Sequence, residues 1–139
     1  LGDVYKRQGL KYSMKDITWA HQEQTKIYNN FRKFFENYDV LICPAASVSP
    51  FPHEQLFVEE INNEKLPTYM RWLALSYAPT MAIPCAWALP CGLDHKNLPF
   101  GIQLIAPAGN DAKLSEIALA IEDALSNYEE TKRAIPDIV

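Results

Sequence analysis

Glycine is scarce in this 139-residue chain. Its five residues, at positions 2, 9, 92, 101 and 109, never cluster, so none makes the nest of backbone amides that cradles a phosphate or an oxyanion. Missing as well are HExxH, paired His-x-His, GxSxG and any zinc-ligand spacing, which removes the common metallohydrolase and nucleophile-elbow signatures. Positive charge is short: 13 Lys and Arg stand against 17 Asp and Glu, a formal charge of −4. That balance offers no electrostatic footprint for nucleic acid or an anionic membrane. Apolar runs fall far below the ~20 residues of a membrane-spanning helix, and the N-terminus lacks the basic, apolar and small-residue order of a secretion signal. Cysteine is limited to Cys43, Cys85 and Cys91, an odd number with no CxxC pair. Each lies in or at the end of an apolar strand-like run and reads as a reduced thiol acting as a small hydrophobe. A catalytic cysteine would need a base, and His21, His53 and His95 fall in polar or helical contexts far away in sequence. No cofactor, nucleic acid or membrane is expected as a partner, and the expected compartment is the cytoplasm.

What is present suits a globular α/β domain. Hydrophobic residues make up 48% and charged residues 22%, enough for one real core and incompatible with wholesale disorder. Residues 1–8, LGDVYKRQ, join no later pattern and read as a non-native linker or adapter. Ser13, with Asp16 three residues on, predicts a capped helix whose Ile17, Ala20, Ile27, Tyr28, Phe31, Phe34, Phe35 and Tyr38 form an aromatic core stripe. Asp39-Val40-Leu41-Ile42-Cys43-Pro44 reads as a strand buried on both faces and ended by Pro44. Ala45 to Leu66, rich in Pro and Glu, reads as a long surface excursion with at most one short helical turn.

Pro67 to Tyr77 predicts a helix buried on most sides, which Pro79 ends near Ala78 or kinks. Ala82 to Leu89 and Phe100 to Ala106 then predict two buried strands, paired antiparallel across Gly92-Leu93-Asp94-His95-Lys96-Asn97, with Pro90 ending the first. Asn110 or Asp111 caps a last helix with Leu114, Ile117, Ala118, Ile121, Leu125 and Tyr128 on one face, and a fraying tail follows from Thr131 to Val139. Gln103, a polar residue in an apolar strand, must find partners for its amide if buried and reads as a fixer of nearby backbone.

Three pieces are distinctive in order and spacing: Ile83-Pro84-Cys85, Pro90-Cys91-Gly92, and Leu98-Pro99-Phe100-Gly101-Ile102-Gln103-Leu104-Ile105. Together they resemble the C-terminal part of the amidase signature family, serine amidohydrolases that cleave carboxamides. The resemblance covers roughly Tyr38 to Tyr128, well under half of a family member. It implies a mixed sheet layered between helices, incomplete here, with residues 9–139 as the C-terminal segment of a single amidase domain. It also implies a Ser–Ser–Lys relay N-terminal to this chain, in which neutral Lys removes a proton through a bridging Ser and the nucleophilic Ser forms an acyl-enzyme. No catalytic residue carries over; Lys26, Lys65 and Lys113 lie on polar faces or loops without the apolar surroundings a catalytic Lys needs. A small-molecule amide would then bind through the absent N-terminal part, and the segment alone is expected to be inactive.

In that family the helix-to-strand junction lines the acyl pocket, carrying a Thr or Ser, an Asn four residues on, then Gly-x-Pro. Here the matching positions are Ser76, Thr80 and Ile83-Pro84-Cys85, with Tyr77 and Trp72 as neighbouring wall residues. Thr replaces Asn, and Ile-Pro-Cys replaces Gly-x-Pro. The residues alone equally allow a plainer role, in which Ser76 and Thr80 satisfy backbone groups near a helix end. Two alternatives stand beside an amidase: the A-type subunit of a glutamine-dependent aminoacyl-tRNA amidotransferase, and a non-catalytic α/β binding module. The module predicts covered sheet faces. The amidase segment predicts exposed apolar ones.

Overall fold

The computed structural model describes residues 2–82 and 84–135. Ile83 of the Ile83-Pro84-Cys85 motif, and the end of the expected tail from residue 136, lie outside the described residues. Helix α1 (Gly2–Gly9) takes in most of the segment read as a linker, and helix α2 (Met14–Phe34) follows. Its start is as expected. The Asp16 amide donates to the Ser13 hydroxyl and the Ser13 amide donates to the Asp16 carboxylate at 2.7 Å, closing a capping box. The aromatic stripe is corrected: no residue of α2 is buried, and Ile17, Tyr28 and the following Tyr38 stand well exposed. An apolar stripe states what must be covered, and the described residues cover it only in part: Ile27, Phe31, Phe34 and Phe35 are half-buried, and Ile27 and Phe31 line a groove with residues of the strand Leu41–Pro44 and the helix Ala74–Thr80.

The sheet has three strands in the order β1 (Leu41–Pro44), β5 (Pro99–Ala106), β4 (Cys85–Leu93), every pair antiparallel. Side chains alternate along β5 with the two-residue period of a strand. Leu104 and Ala106 meet Leu89 and, from helix α4 (Asp111–Ser126), Leu114 and Ala118. Val40, Cys85, Ile102, Ile121 and Leu125 pack around this core. The expected apolar face of α4 is therefore confirmed, except that Tyr128 is exposed. Gln103 and Ile105 face the opposite side, beside their cross-strand partners Cys43 and Leu41.

Three strand expectations are corrected. The strand expected to be buried over Ala82 to Leu89 is instead largely exposed in β4, where Leu89 and Gly92 alone are fully covered, because α4 packs on one face only. Pro90 does not end its strand: it lies inside β4 opposite Gly101, and the register shifts only between Pro90 and Leu93. The reason is position, since β4 is an edge strand, where a missing N–H removes no bond from an inner ladder. β1 is not buried on both faces: Ile42 is 49% exposed, because α4 packs over β4 and β5 and leaves the outer strand β1 largely uncovered on that side.

The uncovered surface is large. The chain exposes 11137 Å², against roughly 7,300 Å² expected of a compact monomer of its mass. The excess of roughly 3,800 Å² is of the size that permanent interfaces bury.

Candidate functional site

The segment from Ala45 to Thr80 contains more regular structure than its composition promised. Its short helical turn is replaced by a hydrogen-bonded turn, Gln55 N–H to Pro52 carbonyl at 3.1 Å. Beyond it lies a small hairpin, β2 (Glu60–Ile61) with β3 (Glu64–Lys65), turned through Asn62 and Asn63 at φ 53° and 65°. Two successive left-handed residues make the tight hairpin turn that asparagine tolerates, so the Asn-Asn pair was the signal for it. The expected helix from Pro67 is shorter and later. A 3₁₀ turn over Arg71–Leu73 leads into α3 (Ala74–Thr80), with Pro79 inside its last turn. None of its residues is buried, which corrects the expectation of a helix covered on most sides.

Pro79 remains inside α3 for a specific reason. Proline has no N–H to give the carbonyl four residues back, which here belongs to Leu75. That carbonyl accepts instead from Gln103 Nε2 at 2.8 Å, and the same Nε2 donates to the Pro44 carbonyl at 3.1 Å. Gln103 thus joins the end of β1 to α3, as its polarity in an apolar strand foretold. Ser76 adds a longer contact at the same junction, its hydroxyl donating to the Ala45 carbonyl at 3.4 Å. The Thr80 hydroxyl turns back to the Tyr77 carbonyl of its own helix. Ser76 therefore faces the strand exit, whereas Thr80 satisfies a local carbonyl.

Two cavities flank this junction. A cleft of about 210 Å³ is walled by Ala45, Val48, Ser49, Phe51, Trp72 and Phe100, with the Phe51 ring edge-on to Trp72 at 5.6 Å. On the other side, a groove of about 530 Å³ runs between α2, β1 and α3, lined by Ile27, Phe31, Cys43, Tyr77 and Met81 among others. Tyr77 belongs to this groove, and so lies apart from the Ser76 contact. The Trp72 indole N–H is buried and has no hydrogen-bond partner among the described residues, an exception to the rule that buried donors are paired.

The thiols fit the hydrophobe role. All three are free and half-buried, burial pushes the Cys43 thiol above its ordinary value, and Cys85 Sγ donates to the Pro107 carbonyl at 3.2 Å. A thiol held protonated is a poor nucleophile. Among the described residues, no cluster of three or more His, Cys, Asp or Glu is arranged to hold a metal ion, and no helix is long and apolar enough to cross a membrane.

Asp94 organises the loop between β4 and β5. Its carboxylate accepts from the Leu98 amide at 3.0 Å and the Lys96 amide at 2.8 Å. The Leu98 bond first, then the Ser49 hydroxyl, hold it below the ordinary aspartate value of 3.8. A carboxyl with a lowered folded-state value stabilises the fold fully above 3.8, and the stabilisation is lost as pH falls through that lower value. Asp94→Asn keeps an oxygen acceptor and removes the proton equilibrium. Urea midpoints measured down the acid range should therefore fall less steeply for the variant than for the parent; parallel curves would exclude this role.

Known proteins share this fold. The Amidase family model matches residues 5–114. The A subunit of glutamyl-tRNA(Gln) amidotransferase from Streptomyces avermitilis is 34% identical over 106 residues, 76% of this chain and 20% of that protein. The A 2 subunit of the Clostridium acetobutylicum amidotransferase is 34% identical over 123 residues, 86% of this chain and 22% of that one. Among solved structures, a bacterial aryl acylamidase of the amidase signature enzymes superposes with a TM-score of 0.75 at 20% identity, covering 94% of this chain and 27% of its own. The A subunit of the Thermotoga maritima amidotransferase gives 0.63 at 24% identity, over 99% and 30%. The chain spans about a fifth of the length of the curated relatives it matches.

Proposed function

Because the chain belongs to the amidase signature family, we propose that it is the C-terminal portion of an enzyme that cleaves carboxamides, releasing ammonia or an amine. The chemistry resides in a Ser–Ser–Lys relay N-terminal to this chain: Lys takes a proton through the bridging Ser, and the nucleophilic Ser is acylated and then released by water. The observation that carries this reading is the excess surface, roughly 3,800 Å² beyond a compact monomer, on a chain whose family match reaches from residue 5 to 114. An independent binding module would cover its own apolar faces. Here α2 and both outer strand edges are left for a partner, and the rest of an amidase domain fits them. A cytoplasmic setting is part of this proposal; the lack of nucleic acid or an anionic membrane as a direct partner of this segment rests on the acidic charge balance.

Within that enzyme, the cleft near Ser76 forms one wall of the acyl pocket, while Tyr77 faces the groove on the other side of the junction and Thr80 closes the end of the same short helix. Ser76→Leu tests the assignment in the parent enzyme, using p-nitroacetanilide against a bulkier anilide such as p-nitrobenzanilide. The expected result is a shift of about tenfold in the ratio of the two kcat/KM values, the scale on which added methylenes discriminate in a pocket. An unchanged ratio removes Ser76 from the wall.

A second reading has its own support, since the curated relatives are glutamyl-tRNA(Gln) amidotransferase subunits. In it, glutamine is the carboxamide and its ammonia passes to an aminoacyl-tRNA. Glutaminase activity that depends on ATP and charged tRNA selects it; hydrolysis of simple anilides without either selects the general amidase.

A further inference from the structure

We propose that Gln103 is a positioning residue that sets the width of the cleft, by tying the end of β1 to α3 through the carbonyl that Pro79 leaves unpaired. The proposal rests on the reading that this cleft borders the amide substrate. Three observations converge on it. The first is that Pro79 cannot serve the Leu75 carbonyl, so the donor must come from outside the helix. The second is that one nitrogen, Gln103 Nε2, reaches both that carbonyl and the Pro44 carbonyl, at 2.8 and 3.1 Å. Both hydrogens of the amide are thereby used on two different chain segments. The third is that packing does only part of this work: Ala74, Leu75 and Pro79 are half-buried and none of the helix is fully covered. The groove of about 530 Å³ lies open between α3, α2 and β1. The helix is held to the sheet at this point by polar contacts from Gln103 and Ser76.

The two ends of this clip adjoin the cleft walls through the chain, while Leu75 itself lines the groove on the other side. Pro44 precedes Ala45, the first wall residue, and Leu75 lies three residues after Trp72 on the opposite wall. Removing the clip frees the walls to move apart without touching the reacting groups. Its signature is a loss of substrate binding with turnover nearly preserved.

The experiment uses the parent enzyme and p-nitroacetanilide. Gln103→Leu is expected to raise KM about tenfold with kcat within about threefold, the pattern of lost uniform binding. A positioning role and a purely structural one separate in the double variant Pro79→Ala/Gln103→Leu. Alanine at 79 returns an N–H to the Leu75 carbonyl, so thermal stability recovers, while the link to Pro44 stays broken and KM remains high. Recovery of KM together with Tm overturns the proposal, and so does an unaltered KM in Gln103→Leu. Should that variant not fold, Gln103→Glu carries the test. A carboxylate facing two carbonyls is disfavoured and takes up a proton more readily; the acid then has one O–H and can donate to one carbonyl only, so KM should fall part of the way toward the parent value as pH is lowered. A KM ratio to the parent that is flat with pH overturns it. If the parent with Gln103 intact cleaves no carboxamide, the amidase reading itself fails and this proposal falls with it. An active parent with an indifferent Gln103 defeats the proposal alone.

Discussion

Leu104→Ala is expected to remove about half or more of the chain's folding stability and to lower its urea midpoint accordingly. Leu104 has no exposed surface, at the centre of β5, where Leu114 and Ala118 of α4 close over it together with Leu89. Truncating such a leucine costs about 2–5 kcal/mol, the spread depending on how far the neighbours collapse into the cavity. Collapse is restricted here, because β4 and β1 hold Leu104 in register from both sides, opposite Trp87 and Ile42. The core that must absorb the loss is small. Eight hydrophobic residues are buried among those described, which places the chain at the low end of the ~5–15 kcal/mol typical of domains. Leu119→Ala, on the outer face of α4 and 63% exposed, is the control, with a shift of about 0.5 kcal/mol or less. Urea unfolding followed by far-UV circular dichroism decides between them. Equal midpoints for the two variants would mean that the core is not centred on β5.

Gly92→Ala is the second large effect, and it acts on the C-terminal tail. Gly92 has φ +71°, and an added Cβ would lie 2.1 Å from the Glu130 carbonyl oxygen and 3.0 Å from its carbon. The left-handed conformation alone costs a non-glycine residue about 1–2 kcal/mol. The clash adds to it, because the opposing atoms are backbone and cannot rotate away. The cheapest relief is to displace residues 129–135 from the hairpin. Cleavage by trypsin after Lys132 or Arg133 should therefore quicken in Gly92→Ala, along with a lowered urea midpoint. Gly109→Ala isolates the cause: Gly109 also has positive φ, 82°, but nothing lies within 4 Å of the added carbon. It should lose stability without exposing the tail. Equal protease sensitivity in the two variants would show that the Glu130 contact is unimportant.

Much of this is legible in local pattern. The Ser13–Asp16 capping box, the antiparallel strands around Asp94, the Leu114–Ala118 face of α4 and the fixing role of Gln103 all follow from side-chain chemistry at short spacing. The Asn62-Asn63 hairpin is written there too, but the surrounding Pro and Glu suggest irregular chain and mask it. Pro90 misleads for a different reason: proline ends an inner strand but is tolerated at an edge, and edge position is a property of strand order. Pro79 is parallel. Its place inside α3 depends on a donor from β5, far along the chain.

The order of residues determined on its own the capped start of α2, the strands β1, β4 and β5, the apolar face of α4, and the family to which the chain belongs, since these are written in local period and motif. Tertiary structure decided which strands lie at the edge, which apolar faces stay open, and which donor answers the Leu75 carbonyl. Those outcomes depend on groups far apart in sequence meeting in space, and a hydrophobic stripe or an orphaned carbonyl specifies a need without specifying what meets it.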